Sequence, residues 1–427
     1  MWEIKKGFVR CNCFHVAEPF YIGDFMKRIK RVLALIGVGL FLTACASDGN
    51  VASKDAEIIV PVVVTPVVPE TASVPDYAKV AFSSWGNGWN LGNTLDAKSD
   101  GNKNNLGLST ETSWGMPKTT QAMINAVAAK GFKTIRVPVS WHNHIVDANY
   151  TIDAQWLARV KTIVDWSLES GMNVIINIHH DNMTEAQMKS NYGFCVPENN
   201  AALKEQSLAY IKSVWTQVSA YFKDYGNKLV FELLNEPRAV GKSYEWWASE
   251  DSSDGAKVKA ANKIIMEYEQ AALDIIRASG GNNASRYVMI PMYAANSDLK
   301  YGWKMPSGEN LIVSVHAYTP YEFTMNNNDK FNPSVESDIN WLFQNVKSFN
   351  MPVIIGEMSA SDKNNTADRQ KWFEFYCAKA KENNVPVILW DNMVVYPNGT
   401  DKAERHGYFN RNKLSWWHEE MVDIMVK

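Results

Sequence analysis

Two glutamates close apolar, strand-like segments of the sequence. Glu236 follows LVFELLN, and Glu357 follows VIIG. A carboxylic acid and a carboxylate that face one glycosidic bond can cleave it, because one protonates the leaving oxygen while the other attacks the anomeric carbon; in retaining enzymes the two groups stand roughly 5–5.5 Å apart. A single glutamate in a strand is more often an internal ion-pair partner. We expect that role for Glu232, deeper in the same segment, with an arginine as a candidate partner.

Eight short β-rich segments alternate with longer segments of helical periodicity from residue 86 onward, which predicts a parallel sheet built from βα units. The predicted strands are 86–94, 134–141, 173–180, 228–236, 287–294, 311–318, 352–359 and 385–392. The predicted helices are 119–130, 153–169, 203–223, 261–279, 335–348 and 367–383, with a weaker one between the fifth and sixth strands. The fold class expected is α/β, a (β/α)8 TIM barrel forming a single catalytic domain over residues 76–427.

Polar and aromatic residues recur at the carboxyl ends of these eight segments. They are Asn93, Trp141, His179, His180, Asn235, Glu236, Tyr293, His316, Tyr318, Glu357, Trp390 and Asp391. In a (β/α)8 barrel these strand ends converge on the face where chemistry is done, so packing alone does not explain the recurrence. Strand alternation would point Asn235 and Glu236 to opposite sides, and both can serve one site only if the strand bulges or ends between them.

The two candidate carboxyl groups need different protonation states. The acid must keep its proton near neutral pH while the nucleophile stays ionised. Arg136 and the Tyr318 hydroxyl are available to stabilise a Glu357 carboxylate, and we expect that anion to keep Glu236 protonated.

Composition argues against several classes of protein. Hydrophobic residues make up 46% and charged residues 21%, which suits a globular chain with a sizeable core. A net charge of −3, with no basic cluster outside the N-terminus, argues against nucleic-acid binding. The 16 Trp and 17 Tyr make flat ligands plausible. Candidates for additional ligand subsites are Trp114, Trp141, Trp246, Trp247 and Trp303, although packing explains any single one at least as well.

The N-terminal residues predict export. KRIKR (27–31) precedes an apolar run at 32–42 that is short for a membrane span, as in a signal peptide over residues 1–45. The segment ending at Cys45, LTAC, resembles a bacterial lipobox and predicts a lipid anchor at that cysteine; plain secretory cleavage nearby is the alternative. We expect translation to start at Met26, and a Pro- and Val-rich linker to occupy 46–75. The predicted location is the outer membrane or cell surface, otherwise the periplasm or medium. Cys195 and Cys377 could form a disulfide in an oxidising compartment, but the sequence gives no geometry that decides it.

Seven stretches resemble glycoside hydrolase family 5, in order and over a region from Tyr77 to the C-terminus. They are GWNLGNTLDA (88–97), TIRVPVSW (134–141), NIHHD (177–181), FELLNEPR (231–238), IVSVHAYTP (312–320), VIIGE (353–357) and ILWDN (388–392). The whole is most similar to the endoglucanase and xyloglucanase branch known as subfamily 4.

The resemblance implies roles for individual residues. Glu236 would be the acid/base and Glu357 the nucleophile. Asn235 would bind the sugar 2-hydroxyl, and Arg136 and Tyr318 would support the nucleophile. The remaining substrate-binding candidates are His179, His180, His316, Trp390 as the stacking floor, and Asn93. The resemblance also implies a cis peptide between Trp390 and Asp391.

The function expected is retaining, endo-acting hydrolysis of β-1,4-glucosidic bonds in cellulose, mixed-linkage β-glucan or xyloglucan. The chain would act as a monomer on a polysaccharide or oligosaccharide, without a cofactor or metal. Alternatives are a β-mannanase of the same family and a non-catalytic glucan-binding barrel. A metal hydrolase using His179, His180 and Asp181 is disfavoured, because adjacent histidines in a strand point to opposite faces.

Overall fold

The computed structural model describes residues 85–427 except 102 and 400. The predicted signal peptide, lipobox cysteine and linker lie outside the described residues. No helix within the described part of the chain is long and apolar enough to cross a membrane.

Eight parallel strands form a closed barrel in sequence order, with the first strand paired to the last, as predicted for a (β/α)8 fold. The strands are β1 Gly88–Asn90, β2 Thr134–Val137, β3 Asn173–Asn177, β4 Leu229–Glu232, β5 Val288–Pro291, β6 Leu311–His316, β7 Val353–Met358 and β8 Val387–Leu389. A two-stranded antiparallel ribbon, β9 Phe409–Asn410 and β10 Ser415–Trp416, follows the barrel.

Every predicted strand is longer than the observed one, mostly at its carboxyl end. β4 ends at Glu232, so Glu236 lies in the loop beyond it rather than at the end of the strand. The apolar pattern continues through Leu233 and Leu234, which are buried beyond the end of β4, although the Leu233 amide still donates to the Met289 oxygen of β5 at 3.1 Å. Periodicity therefore located the strands but could not show where their hydrogen bonding stops.

The helices pack around the barrel. They are α1 Gln121–Lys130, α2 Ala154–Glu169, α3 Ala201–Tyr221, α4 Ser253–Ala278, the short α5 Tyr321–Thr324, α6 Pro333–Ser348, α7 Thr366–Glu382 and α8 Glu419–Val426.

The start of one predicted helix was wrong, and a helix that the sequence indicated only weakly is absent. α4 begins at Ser253, not near 261, because the Ser252 side chain caps the helix by accepting from the Gly255 amide. The predicted weak helix between β5 and β6 is absent from residues 292–310, all of which are described; apart from a 3-10 turn at Tyr293–Ala295, that segment is irregular.

The barrel interior has an apolar floor and a polar layer above it. The floor consists of Trp85, Ile175, Val230, Met289, Ile312, Ile354 and Ile388. Two residues further along the strands, side chains again point inward and are mostly polar. The polar side chains of this layer are Asn90, Arg136, Asn177, Glu232 and Ser314, and Gly356 lies at the same level in β7.

Glu232 belongs to this layer and is an ion-pair partner, as expected. Its Oε2 accepts from Arg136 Nε at 2.8 Å and from Asn177 Nδ2 at 2.9 Å, and its Oε1 accepts from Ser314 Oγ at 2.5 Å. Burial opposes ionisation, but Arg136, His316 and Ser314 lower the pKa of Glu232 to about 2. Glu232 therefore braces Arg136 below the strand ends.

Candidate active site

Glu357 lies within β7 and is buried. Its Oε1 accepts from Arg136 Nη1 at 2.7 Å, and its Oε2 accepts from the Tyr318 hydroxyl at 2.9 Å. The register between β6 and β7 shifts between Val315 and His316, where His316 comes to pair with Glu357. Such irregularities redirect side chains near active sites. The carboxylate is thus held at both oxygens.

Arg136 is fully buried and connects Glu357 to the polar layer. Besides Glu357 and Glu232, its guanidinium donates to Asn90 Oδ1 at 3.0 Å and to Asn235 Oδ1 at 2.7 Å. The planar fork of donors suits such a multiple contact. The contact with Asn235 also turns the amide nitrogen of that residue away from Arg136.

Glu236 is held in a different way. It lies in the loop after β4, its side chain is 18% exposed, and its Oε1 is 2.8 Å from His316 Nδ1. Gly356 gives His316 its space, since a Cβ there would lie 3.3 Å from His316 Nε2. Because β4 has ended, the alternation that would separate Asn235 from Glu236 does not apply.

The two carboxyl groups come close together. His316 Nδ1 lies 3.7 Å from Glu357 Oε1, and one oxygen of each glutamate lies within 4.8 Å of the other and of His316. The separation expected of a retaining pair is roughly 5–5.5 Å, against about 6.5–9.5 Å for an inverting pair.

The structure argues against the protonation of Glu236 expected from the sequence. Although burial opposes the imidazolium, Glu357, Glu232 and Glu236 raise the pKa of His316 to about 9. Burial would also raise the pKa of Glu236, but the hydrogen bond and charge of His316 outweigh it and hold that pKa below its usual value. Sequence reasoning considered only the neighbouring anion and missed the cation between the two acids. The raised pKa of His316 favours a proton on that ring, one hydrogen bond from Glu236.

The pKa of Glu357 is raised. Burial is the main cause and the charge of Glu236 adds to it, whereas His316, Arg136 and Tyr318 oppose the rise. The donors on both oxygens are therefore what favours the ionised form of Glu357 in a buried position.

Asn177 sets the protonation of His179. The Val139 amide donates to Asn177 Oδ1 at 3.1 Å, so the Asn177 Nδ2 group faces His179 Nδ1 at 3.1 Å and Glu232. A donor at that point requires a lone pair on Nδ1, which places the His179 proton on Nε2. Burial lowers the pKa of His179 well below its usual value, so the ring is neutral. His179 thus carries a single N–H, on its other nitrogen.

His179, His180 and Trp390 form an aromatic wall. The His179 and Trp390 rings are parallel within 1°, with centroids 5.9 Å apart, and the His180 ring meets His179 edge-on at 4.3 Å. Since β3 ends at Asn177, the argument that the two histidines point to opposite faces was wrong. Gly92 allows Trp390 to pack closely, because a Cβ there would lie 3.0 Å from the indole.

The loop after β1 completes this wall. Asp96 lies 3.8 Å from His180 Nε2 and accepts from the Asn93 amide at 3.0 Å. Asn93 has a left-handed backbone, with φ of 57°, and is partly exposed. The Trp114 ring lies 5.5 Å from the His180 ring and is 38% exposed. Asn93 is therefore placed beside the other site residues.

Two groups of described residues bring three potential metal ligands within 4.8 Å of one another. They are Asp96 with His179 and His180, and Glu236 with His316 and Glu357. Both groups belong to the hydrogen-bond network described above: Asn177 Nδ2 faces His179 Nδ1 at 3.1 Å, and His316 Nδ1 lies 2.8 Å from Glu236 Oε1. Asp181 lies in neither group; it accepts from the Trp141 and His142 amides at 2.9 and 2.6 Å.

The other residues singled out in the sequence separate into packing and surface positions. Trp141 and Trp303 are buried and pack in the core, whereas Trp246 and Trp247 are 51% and 59% exposed. Cys195 and Cys377 are both buried and free.

One backbone expectation was wrong. The cis peptides of the described residues are Thr319–Pro320 and Tyr396–Pro397, and Trp390–Asp391 is not among them. Both observed cis bonds precede proline, where the cost of the cis form is small compared with other residues.

Sequence reasoning missed the support beneath the site. Asn90, Asn177 and Ser314 all hydrogen-bond to Arg136, His179 or Glu232. A usable signal was present, because each lies at an inward position of its strand.

The comparisons with known proteins agree with this geometry. The family model for cellulase (glycosyl hydrolase family 5) matches residues 97–394. The chain belongs to glycosyl hydrolase family 5. As a family 5 glycoside hydrolase, it is 37% identical over 377 residues to endoglucanase A of Clostridium longisporum, an alignment covering 85% of this chain and 68% of that protein.

Solved family 5 structures are also similar. A GH5-4 broad-specificity endoglucanase from Ruminococcus flavefaciens is 37% identical with a TM-score of 0.71, covering 82% of this chain and 97% of that one. A GH5 xyloglucan-specific endo-β-1,4-glucanase from a metagenomic library, in complex with cellotriose, is 37% identical with a TM-score of 0.72, covering 82% and 98%. The resemblance to family 5, and to its subfamily 4, is confirmed.

Proposed function

We propose that this chain is a retaining endo-β-1,4-glucanase in which Glu236 is the acid/base and Glu357 the nucleophile. The observation that carries the proposal is the pair of carboxyl groups within 4.8 Å, one held by Arg136 and Tyr318 and the other 2.8 Å from His316 Nδ1. Two carboxyl groups this close leave room for direct attack but not for an intervening water.

In the first step, Glu357 attacks the anomeric carbon and forms an ester bond with the sugar. The C–O bond to the leaving sugar breaks, and Glu236 gives its proton to that oxygen. The 2.8 Å contact with His316 lets the resting proton move onto Glu236 before this step. In the second step, Glu236 takes a proton from water, the hydroxide adds to the anomeric carbon, and Glu357 is released.

The surrounding groups suit a glucosyl unit. Trp390 offers an aromatic face for the pyranose ring, the Asn235 amide nitrogen is turned away from Arg136 and can donate to a 2-hydroxyl, and His179 Nε2–H can donate to another hydroxyl. The names of the relatives span broad-specificity and xyloglucan-specific endo-glucanases, so we propose a β-1,4-linked glucan backbone as the common substrate.

The test measures reducing ends released from cellulose, mixed-linkage β-glucan, xyloglucan and mannan by the wild type, Glu236→Gln and Glu357→Gln. Proton NMR of the first product reports its anomeric configuration. We expect a β-anomeric product from glucans and strong loss in both variants, with Glu382→Gln on the surface of α7 as the matched control.

An α-anomeric product would refute retention, and near-wild-type activity of either site variant would refute the assigned roles. Preference for mannan would point to the β-mannanase alternative. Binding of glucan without reducing ends would point to a non-catalytic barrel.

We also propose export with a lipid anchor at Cys45, on the strength of the LTAC segment after the apolar run. Labelling of producing cells with radioactive palmitate should mark the wild type and not Cys45→Ala. Equal labelling of both would remove the proposal.

A further inference from the structure

Trp246 lies in the loop that carries Glu236, between β4 and α4. It is 51% exposed, although the guanidinium of Arg238 covers one face of its ring at 3.8 Å from the centroid. The exposed area therefore lies on the opposite face and the ring edges.

Arg238 joins this ring to Glu236. Its Nη1 donates to the backbone oxygen of Glu236 at 2.9 Å and lies 3.7 Å from Glu236 Oε2. Its Nε donates to Glu245 at 3.0 Å, which fixes the guanidinium plane. Only the Arg238 side chain thus separates Trp246 from Glu236, the residue proposed to protonate the leaving oxygen.

The loop on either side of Trp246 is anchored. The Tyr293 hydroxyl donates to the Tyr244 backbone oxygen at 3.1 Å, and the Tyr301 hydroxyl donates to that of Ala248 at 2.8 Å. Tyr244, Ala248, Tyr293 and Tyr301 share a small core of their own. The indole is consequently presented on a rigid segment, and little ordering is needed when a ligand binds.

From these contacts we propose that the open face of Trp246 is a stacking platform for a β-linked glucosyl unit of the departing chain. The acid must stand beside the leaving oxygen. Arg238 lies next to Glu236 Oε2 and packs on Trp246, so we place Trp246 on the leaving side of the substrate. Pyranose rings present apolar C–H faces that pack on indole. This platform rests on the proposed glucanase function and adds a residue that selects substrates by the sugar beyond the cleaved bond.

Trp247 provides a matched control. It is the next residue in the same loop and is more exposed, at 59%. If exposed aromatic area alone decided binding, loss of Trp247 would matter at least as much as loss of Trp246.

The experiment compares two substrates in Trp246→Ala, Trp246→Phe and Trp247→Ala. Cellopentaose places sugars on the leaving side, whereas β-cellobiosyl fluoride has only fluoride there. We expect kcat/KM of Trp246→Ala for cellopentaose to fall about tenfold or more, the equivalent of about 1.4 kcal/mol. The kcat/KM of Trp246→Ala for β-cellobiosyl fluoride should change by less than about twofold, much less than the tenfold loss expected with cellopentaose. Transfer of cellobiosyl units to added cellobiose should decline in parallel, since the acceptor occupies the same place.

Trp246→Phe retains an aromatic face and should recover most of the cellopentaose activity, and Trp247→Ala should resemble the wild type. Equal loss on both substrates in Trp246→Ala would show that the indole only positions Arg238 or the fold, and would overturn the platform. A larger loss in Trp247→Ala would overturn it as well. A wild type that cleaves neither substrate would instead count against the proposed function.

Discussion

The two halves of the site hold their carboxyl groups in opposite ways. Glu357 is part of a strand, is 5% exposed, and has a donor on each oxygen. Glu236 lies in a loop, has an 18% exposed side chain, and bonds through one oxygen to an ionisable ring. A nucleophile has to stay ionised and in place, whereas an acid/base has to exchange protons with a partner and with water. Rigidity and burial are thus distributed according to the chemistry of each group.

The largest expected effect distinguishes the role of Glu357 from that of Glu236. Glu357→Gln removes the attacking atom and should reduce turnover by more than about 10⁴-fold on every substrate. Glu236→Gln should cost about 10²–10⁴-fold on cellopentaose, yet form the glycosyl-enzyme readily from a 2,4-dinitrophenyl cellobioside, whose leaving group needs no proton. Burst kinetics of dinitrophenol release measure this. An identical dependence on leaving group in both variants would contradict the division of roles.

Loss of one donor to the nucleophile should have an intermediate effect. A hydrogen bond to a charged group contributes about 1.5–3 kcal/mol, so Tyr318→Phe should lower kcat/KM roughly tenfold to hundredfold. Because the hydroxyl lowers the pKa of Glu357, the acidic limb of the pH–rate profile should also move to higher pH. Tyr225→Phe, which removes a hydroxyl–carboxylate bond to Asp165 away from the site, is the control. An unshifted limb in Tyr318→Phe would argue against this account.

His316 should make the stability of the fold depend on pH. Its pKa is raised to about 9, so its contribution is complete below the unfolded value of 6.5 and is lost as pH rises through about 9. The difference of about 2.5 pH units corresponds to about 3 kcal/mol. Urea unfolding between pH 6 and 10 should show this decline in the wild type and a much smaller one in His316→Gln. Parallel curves would mean that the imidazolium does not stabilise the fold.

A third carboxyl group, that of Glu269, tests how burial without hydrogen-bond donors affects stability. Glu269 on α4 is fully buried, neither of its oxygens has a hydrogen-bond partner among the described residues, and burial raises its pKa well above the usual value. Since the folded state holds this proton more tightly, stability should fall as pH rises above 4.5.

Glu269→Gln should therefore be more stable than the wild type at pH 8, and less distinct from it at pH 4.5, with unchanged glucan hydrolysis. Thermal melts at both pH values measure the difference. A variant that is less stable at both would indicate that Glu269 has a partner or is ionised.

The sequence allowed the barrel and its catalytic face to be predicted, because buried parallel strands read as apolar runs and their polar ends recur eight times. Strand length was less predictable: Leu233 and Leu234 extend the apolar run of β4 beyond Glu232, the last residue of the strand. The same error underlies the mistaken argument that His179 and His180 point to opposite faces, whereas the expectation for Asn235 and Glu236 had allowed for a strand that ends.

Protonation was beyond the sequence because it depends on distances. The position of His316 between three carboxylates reversed the expected state of Glu236. The role of Asn177 likewise depends on the Val139 amide, which selects the direction of its side chain. Residue type and order contain neither fact.

Asn90 lies where the first and last strands meet. Its Nδ2 donates to the backbone oxygens of Gly356 at 2.9 Å and Leu389 at 3.2 Å, and its Oδ1 accepts from Arg136. The side-chain amide of Asn90 therefore bonds across the junction that closes the barrel and also supports Arg136, which holds the nucleophile. A molecule nicked or frayed at this junction would lose turnover before most of its helices had melted, so inactivation by heat should precede the loss of circular dichroism.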